Sequence, residues 1–260
     1  MDLQGRVALV TGATGHIGRA VCDALAELCA GVVVLDLHPE VCHDVAESLH
    51  RRHGVEAVPL PIDLSDDQCP SQIVRHVLDH YGQLDILVNC AAFVGTSNLS
   101  GWNTYFENQG VDAWRQAVEL NLTVPFRLTQ ACAAALKHSG RGSVVNVASI
   151  YGIVGPDISL YADTSMNNPA AYAASKGGLV QLTRWLSTVM APDVRVNTVT
   201  PGGLARNQPE VFQQRYVART PLGRMGTEEE MKGAVAYLAS DLSAYVTGHN
   251  LIVDGGWTAW

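Results

Sequence analysis

The stretch VALVTGATGHIGRAV, residues 7–21, joins a short apolar run to an amphipathic segment through three glycines. Gly12, Gly15 and Gly18 permit a tight turn and let the backbone approach a pyrophosphate, which then lies at the N-terminus of the following helix. The stretch therefore predicts a strand, a glycine-rich turn and a helix at a dinucleotide site. Because glycine triplets also occur in ordinary turns, this pattern alone leaves both interpretations open.

The alternation that begins in this stretch continues along the chain. Runs such as VVVLD and DILVN are apolar throughout, as in the strands of a parallel sheet covered on both faces. The predicted strands are 6–10, 31–36, 56–62, 84–89, 143–148, 194–199 and 250–253. The predicted helices lie near 17–29, 39–52, 66–81, 112–137, 171–190 and 228–240. With no linker or internal repeat, the pattern predicts one α/β domain over 1–260, a doubly wound Rossmann-like parallel sheet with helices on both faces.

Composition excludes several classes of function. The net charge is −8, and lysine occurs only at 137, 176 and 232, so no basic stripe is available for nucleic acid. No uncharged apolar run approaches the roughly 18 residues that span a bilayer, and the N-terminus has no secretory pattern. The six cysteines form no CxxC pair or metal-type spacing. We expect a cytoplasmic protein with a small-molecule substrate, without a catalytic metal, nucleic-acid partner or membrane contact.

The second predicted strand ends in Asp36, 18 residues after Gly18. A carboxylate at this tip can accept hydrogen bonds from the adenosine ribose and would repel the 2′-phosphate of NADP. Leu37 and His38 follow, so no arginine stands there to receive that phosphate. The cofactor predicted is NAD. Asp63 ends the third strand and could bind the adenine amino group, but taken alone it is better explained as an acidic residue at the N-terminus of the next helix.

A serine, a tyrosine and a lysine further along the chain suggest proton transfer. Ser149 ends a strand in NVAS, and Tyr172 and Lys176 lie four apart in YAASK, on one face of a helix. A phenol has an ordinary pKa near 10, and a neighbouring ammonium should lower it towards neutrality. Ser149 would then hold a substrate oxygen while Tyr172 exchanges the proton.

These motifs occur in one order along the chain, which resembles the compact, single-domain branch of the short-chain dehydrogenase/reductase family over essentially its whole length. The matching stretches are TGATGHIG, VVLD, IDLS, LVNCAA, ELNLTVPF, NVAS, YAASK, RVNTVTPGG and YVTGHNLIVDGG. The resemblance implies a catalytic tetrad of Asn121, Ser149, Tyr172 and Lys176. It also implies that the lysine holds the nicotinamide ribose and that the asparagine positions a proton-relay water.

The resemblance further implies a set of cofactor contacts. Asn89 and Ala91 would lie beside the adenosine, and Gly202 to Leu204 beside the nicotinamide. The full set expected to bind the dinucleotide is Gly12, Thr14, His16, Ile17, Asp36, Leu37, Asp63, Leu64, Asn89, Ala91, Tyr172, Lys176, Gly202 and Leu204.

The chain departs from the family pattern at several points. The glycines follow TGxxGxxG, with His16 where TGxxxGxG has glycine; NNAG is replaced by NCAA (89–92); and the threonine usual after Pro201-Gly202 is absent. Ser149 and Tyr172 are also 23 residues apart, a longer spacing than usual. Tyr161 fits the spacing better, but Ser165 stands where it needs a lysine. Tyr172 is therefore the preferred acid/base.

Two long loops, 95–110 and 152–169, follow predicted strand ends, where ligands bind in such sheets. Trp102, Tyr105 and Phe106 in the first loop could stack on a sugar or base, or pack within the loop or against another subunit. The stretches ASIYGIVGPD, NNPAAYAASKGG and PLGRMGTEEE also resemble dehydrogenases of bacterial surface-sugar pathways. A sugar or nucleotide-sugar substrate is expected.

The sequence therefore predicts an NAD(H)-dependent oxidoreductase that interconverts a secondary alcohol and a ketone. A nucleotide-sugar epimerase or dehydratase with retained NAD is the first alternative, favoured by TGxxGxxG, although only about 60 residues follow Pro201 to form a substrate region. A catalytically silent NAD-binding protein is the second, disfavoured because Tyr172 and Lys176 are both present. The resemblance implies a homotetramer with helices 112–137 and 171–190 at one interface.

Overall fold

The computed structural model describes residues 2–95 and 97–260. Its centre is a seven-stranded sheet in the order β3-β2-β1-β4-β5-β6-β7, in which every neighbouring pair is parallel. The strands are β1 (Val7–Thr11), β2 (Gly31–Asp36), β3 (Ala57–Pro61), β4 (Ile86–Asn89), β5 (Gly142–Val147), β6 (Val194–Pro201) and β7 (Asn250–Val253). The strand order reverses direction between β1 and β4, so a crevice forms at their carboxyl ends. The predicted doubly wound fold is confirmed.

Helices cover both faces of the sheet. They are α1 (His16–Glu27), α2 (Pro39–His53), α3 (Cys69–Tyr81), α4 (Val111–Val118), α5 (Val124–His138), α6 (Ala170–Val189), α7 (Glu210–Ala218) and α8 (Glu230–Ala239). One core includes Val10, Leu25 and Val235, under α1, α2 and α8, and the other includes Leu9, Ile73 and Leu128, under α3, α5 and α6. Within the described ranges, none of the helices combines the length and apolarity needed to cross a bilayer.

Two helical features differ from the sequence prediction. The helix expected over 112–137 is divided by a π-helical turn, Glu119–Thr123, because Pro125 has no N–H to donate to the carbonyl of Asn121 four residues earlier. Helix α7 was not predicted at all. It is only nine residues long, and it is stabilised by burial of Phe212 and Tyr216 rather than by a strong helical pattern of its own.

Helix α6 is tied to the centre of the sheet by buried hydrogen bonds. Asn146 of β5 donates its Nδ2 to the Oγ1 of Thr183, 2.8 Å away, and Thr198 of β6 donates to the same oxygen at 2.8 Å. Asn89 of β4 donates to Oδ1 of Asn146, also at 2.8 Å. All four side chains are buried. The network therefore fixes the position of α6 relative to three strands.

Candidate active site

The carboxyl ends of β1, β2 and β4 open into a cleft of about 900 Å³ that extends to α6. The cleft is where parallel sheets of this kind hold ligands. Eleven of the residues predicted to bind a cofactor line it: Gly12, Thr14, His16, Ile17, Asp36, Leu37, Asp63, Leu64, Ala91, Tyr172 and Lys176.

The glycine turn at one end of the cleft needs two of its glycines for close backbone packing. Gly12 has a φ of +63°, and a Cβ there would lie 2.8 Å from the backbone of Ala91. A Cβ on Gly18 would lie 2.0 Å from the carbonyl oxygen of Gly12. Gly15 precedes α1, whose first residue, His16, also lines the cleft. Despite its altered spacing, the turn places a helix N-terminus with free N–H groups at the cleft, which fits a dinucleotide pyrophosphate.

Asp36 is held at the tip of β2 by hydrogen bonds from the glycine turn. Its Oδ2 accepts from the N–H of Thr14 at 2.9 Å and from the Thr14 hydroxyl at 2.7 Å, and its Oδ1 accepts from the N–H of Leu37 at 2.8 Å. A carboxylate has about four acceptor positions, so capacity remains for ribose hydroxyls. The geometry therefore suits the predicted ribose contact.

Asp63 lies at the cleft and not at a helix N-terminus, since α3 begins only at Cys69. It lines the cleft together with Leu64. Its Oδ1 also accepts hydrogen bonds from the N–H and the hydroxyl of Ser65, at 2.9 and 2.7 Å, and these bonds lower the pKa of the carboxyl. Asp63 thus stabilises its own turn while one face of the residue borders the cleft.

Tyr172 and Lys176 line the other end of the cleft, and Ser149 lies next to them in a hydrogen bond with Tyr172. Lys176 is buried, donates its Nζ to the carbonyl of Val147 at 2.7 Å, and lies 5.9 Å from the centre of the Tyr172 ring. The turn that follows Ser149 packs directly on α6, since a Cβ on Gly152 would lie 2.7 Å from the backbone of Lys176. Strand β5 and helix α6 therefore bring the three side chains together, as the sequence predicted.

The protonation states differ from the sequence expectation. Burial raises the pKa of Tyr172 above its ordinary value, although a hydrogen bond with Ser149 and the charge of Arg206 oppose this rise. Burial also lowers the pKa of Lys176 to about 8. The expected lowering of the pKa of this phenol is therefore wrong in its net direction, because loss of hydration outweighs the hydrogen bond with Ser149 and the charge of Arg206. Tyr172 is a protonated phenol at neutral pH.

Asn121 lies in the π-helical turn and is fully buried. Its Oδ1 accepts from the N–H of Phe93 at 2.8 Å, and its Nδ2 donates to the Phe93 carbonyl and the Ser175 hydroxyl, both at 3.2 Å. The side chain thus connects the segment after β4 to α6. It lies behind the cleft surface, in contact with the residue before Lys176.

Three residues predicted to contact the cofactor lie outside the cleft lining. Asn89 is buried and donates to Asn146 and Thr129. Gly202 and Leu204 border a separate, smaller cavity of about 90 Å³ beside Met231. In this structure the side chains of Asn89 and Leu204 pack within the fold, and Gly202 lies close against the backbone of Asp254.

Arg206 is a cleft residue that the sequence analysis missed. It belongs to the run GLARNQP (203–209), which lacks the threonine usual in the family. Its Nε donates to Oε1 of Glu228 at 2.8 Å. This ion pair fixes a guanidinium on the wall of the cleft. The signal available in the sequence was a basic residue just after a strand end, which is too common to single out.

The two long loops are hydrogen-bonded to each other. Asn103 accepts from the N–H of Asn167 at 2.7 Å, and Gln109 accepts from the N–H of Ala170 at 2.9 Å and donates to the carbonyl of Asn168 at 3.3 Å. Thr96, in the first loop, lies outside the described residues. Together the loops border the start of α6, two residues before Tyr172.

The aromatic residues of the first loop have unequal positions. Trp102 is 2% exposed and donates its indole N–H to the carbonyl of Val94 at 2.8 Å, so it packs within the loop. Tyr105 and Phe106 are 71% and 78% exposed. None of the three lines the main cleft. Trp102 is therefore not positioned to stack on a ligand, and it packs within the loop instead.

Comparison with known proteins places this geometry in context. The family model described as Enoyl-(Acyl carrier protein) reductase matches residues 12–258. The 3-oxoacyl-[acyl-carrier-protein] reductase FabG of Pseudomonas aeruginosa is 34% identical over 261 residues, covering 98% of both chains. The cis-4-hydroxycyclohexanecarboxylate dehydrogenase of Sinomonas cyclohexanicum is 34% identical over 259 residues, covering 98% of this chain and 97% of its own.

Solved structures that resemble this fold include other dehydrogenases and reductases. A short-chain type dehydrogenase/reductase from Mycobacterium marinum is 30% identical, with a TM-score of 0.87 and coverage of 100% of this chain and 97% of that one. An NAD+-bound xylitol dehydrogenase is 28% identical (TM-score 0.88, coverage 98% and 100%). An NADPH-dependent 3-quinuclidinone reductase from Rhodotorula rubra is 26% identical (TM-score 0.86, coverage 100% and 93%).

Proposed function

This chain belongs to the short-chain dehydrogenase/reductase family, and from that premise we propose that it is an NAD(H)-dependent oxidoreductase that interconverts a secondary alcohol and a ketone. The observation that carries the proposal is that Tyr172, Lys176 and the Ser149 bonded to Tyr172 converge next to one end of a cleft whose other end is a glycine turn with Asp36 beside it. A silent binding protein would have no need of this trio.

Each member of the trio has a role that follows from its surroundings. A bound nicotinamide dinucleotide supplies or accepts the hydride. Ser149 donates a hydrogen bond to the substrate oxygen, and Tyr172, a phenol whose pKa is raised by burial, donates the proton during reduction. In the opposite direction the ammonium of Lys176 stabilises the phenolate that accepts the alcohol proton. Lys176 would also bind the ribose hydroxyls of the dinucleotide. Asn121 lies behind the cleft with its side-chain groups bonded to Phe93 and Ser175, so we assign it to positioning α6 beside Lys176.

The choice of NAD rests on Asp36. Its carboxylate lies at the tip of β2, on the cleft, where it would accept the ribose hydroxyls and repel a 2′-phosphate. The similar structures include both an NAD+-bound and an NADPH-dependent enzyme, so overall similarity does not decide the cofactor. The residues that follow, Leu37 and His38, offer no guanidinium to a phosphate.

The substrate and the assembly are finer proposals. A sugar or another substrate with several oxygens suits the hydrogen-bonding loops above Tyr172, and a xylitol dehydrogenase is among the similar structures. A homotetramer with α4, α5 and α6 at one interface is supported by the exposed apolar side chains of Phe126, Trp185 and Val189, which are 37%, 54% and 50% exposed.

The test compares the parent protein with Tyr172→Phe, which removes only the phenol oxygen. NADH binding, measured by fluorescence titration, should be unchanged, whereas kcat for ketone reduction should fall by about 1,000-fold because general acid catalysis is lost. Tyr245→Phe, at a fully exposed site, is the matched control and should retain the parent rate.

The alternatives predict different outcomes. Undiminished turnover by Tyr172→Phe would contradict the assigned acid/base. Binding of NADH by the parent without turnover of any alcohol or ketone would indicate a silent NAD-binding protein. Tightly retained NAD with no net change in its redox state would indicate an epimerase or dehydratase.

A further inference from the structure

Arg206 places a positive charge on the wall of the main cleft. Its Nε donates to Oε1 of Glu228 at 2.8 Å, and the two side chains are 30% and 22% exposed. Burial opposes ionisation of Glu228, but the hydrogen bond and the charge of Arg206 outweigh it and lower the pKa of this carboxyl. The ion pair is therefore present at neutral pH, and it limits the orientations that the half-buried guanidinium can take.

The backbone around this ion pair is also fixed. The N–H of Ala205 donates to the carbonyl of Gly226 at 2.8 Å, and the N–H of Gly226 donates to the carbonyl of Gly203 at 3.0 Å. The N–H of Arg206 itself donates to Oε1 of Gln208 at 2.6 Å. The two segments that carry the ion pair thus lie side by side and hold the guanidinium at one place on the cleft wall.

Most of the donors of Arg206 are unused. A guanidinium has five N–H groups, one on Nε and two on each of the terminal nitrogens Nη1 and Nη2. Glu228 takes the hydrogen of Nε, and the described part of the chain offers no acceptor to Nη1 or Nη2. Four donors in a planar fork are therefore available, and this arrangement binds a phosphate or a carboxylate through two of its oxygens.

The other cations of the cleft are placed differently. Among the described residues, two further lysine or arginine side chains line it, Arg115 and Lys176. Arg115 pairs with Asp112, and its side chain is 74% exposed. Lys176 is buried and donates to the carbonyl of Val147. Arg206 thus combines a fixed position with an open fork of donors.

The N-terminus of α1 borders the same cleft, through Gly15, His16, Ile17 and Gly18. No side chain of the described residues caps this helix, and its first turn contains no acidic residue. Its first N–H groups and the positive end of its dipole are therefore free for an anion. An anion held there would share the cleft with the guanidinium of Arg206.

The chemistry of the dinucleotide indicates which anion this is. Its pyrophosphate joins two riboses, and the proposed function assigns the adenosine ribose to Asp36 and the nicotinamide ribose to Lys176. The pyrophosphate therefore falls between these two residues. The carboxylate of Asp36 repels phosphate from the adenosine end, whereas the helix N-terminus and Arg206 both attract it.

We propose that Arg206 binds the pyrophosphate of the dinucleotide together with the N-terminus of α1, and that Glu228 holds the guanidinium in place for this contact. The inference rests on the proposed NAD(H)-dependent activity and adds a cofactor-binding residue that belongs to a run in which this chain departs from the family pattern.

The experiment measures binding without turnover, by competition of ADP-ribose and of adenosine against NADH in a fluorescence titration. ADP-ribose contains the pyrophosphate, and adenosine does not. In Arg206→Gln the affinities for NADH and ADP-ribose should fall by about 10- to 100-fold, because charge-assisted hydrogen bonds are lost, while the affinity for adenosine changes by less than about twofold. Arg206→Lys keeps the charge without the fork and should recover part of the loss. Arg75→Gln, exposed on α3, is the matched control and should bind like the parent.

The Tm of each variant, measured in parallel, should stay near the parent value. Unchanged affinities for NADH and ADP-ribose in Arg206→Gln would overturn the proposal. An equal loss for adenosine would also overturn it, because it would assign Arg206 a structural role in the cleft. A higher KM for acidic substrates, with NADH affinity unchanged, would instead assign the guanidinium to the substrate. A parent that binds neither NADH nor NADPH would refute the proposed function and this inference together, whereas a parent that binds NADH no better than Arg206→Gln does refutes only the inference.

Discussion

The two ends of the cleft are built by different means. The cofactor side, comprising the glycine turn 11–18 and Asp36, uses backbone proximity and one carboxylate, and its key contact joins residues 22 positions apart. The substrate side, comprising loops 97–110 and 150–169, uses side-chain amides and phenols, and its contacts join residues about 60 positions apart, such as Asn103 with Asn167.

This difference implies that the two sides can be changed separately. On the cofactor side, a Cβ at Gly12 or Gly18 collides with backbone, so the conformation allows little variation. On the substrate side, each contact is one hydrogen bond between loops, worth about 1 kcal/mol. Three substitutions, in order of decreasing expected effect, test whether the two sides are separable.

Asp36→Asn should alter the cofactor side alone. The amide oxygen can still accept from Thr14, but the negative charge is lost, so the preference for NADH over NADPH should fall by about 10- to 100-fold. Fluorescence titration with both dinucleotides measures this ratio, and the KM for the substrate should stay unchanged. Asp44→Asn, exposed on α2, is the charge-matched control. Tighter binding of NADPH than NADH by the parent would refute the assignment of NAD.

Lys176 lies between the cofactor side and the substrate side of the cleft. Its protonation should therefore change the affinity for NADH. Its pKa is lowered by burial to about 8, so the ammonium is present below that pH and lost above it. NADH affinity should therefore weaken by about 10-fold as the pH rises through this value, because a charge-assisted hydrogen bond disappears. Fluorescence titrations across the range measure the change. Lys176→Met should bind weakly at every pH; a break near pH 8 that persists in this variant would assign the titration to another group.

Gln109→Ala should alter the substrate side alone and by the smallest amount. It leaves the N–H of Ala170 without its acceptor at the start of α6, a loss of about 1.5 kcal/mol that should lower Tm by about 3–6 °C. The KM for substrate should rise a few-fold with NADH affinity unchanged. Gln72→Ala, exposed on α3, is the matched control. A large loss of NADH binding in Gln109→Ala would show that the two sides are not separable.

The parts of the molecule that sequence predicts well depend on local patterns. The strand, glycine turn and helix over 7–27, the acid at the tip of β2 and the pair Tyr172 and Lys176 are all encoded within a few residues of one another. Their relative positions then follow from the known geometry of parallel sheets. The doubly wound parallel sheet and the meeting of Ser149 with α6 could be predicted for this reason.

The remaining features depend on tertiary contacts that no local pattern encodes. Helix α7 exists because Phe212 and Tyr216 pack against Tyr161 and Trp257, from segments about 50 and 40 residues away. The direction of the pKa shift of Tyr172 depends on how much water the surrounding loops exclude. Asn89 is turned into the core by Asn146, whose position on the adjacent strand cannot be deduced from the motif alone.

The buried bonds from Thr183 to β5 and β6 have a consequence for how such a protein changes over generations. Helix α6 takes its position largely from the sheet, through Thr183 and the bond from Lys176 to Val147, which lie beyond the segment that leads into it. Beyond the turn at Gly152, the segment that leads to Tyr172 can therefore lengthen, shorten or be exchanged without displacing the reactive phenol. Related proteins can therefore acquire different substrates while the arrangement of the proton-transfer residues stays the same.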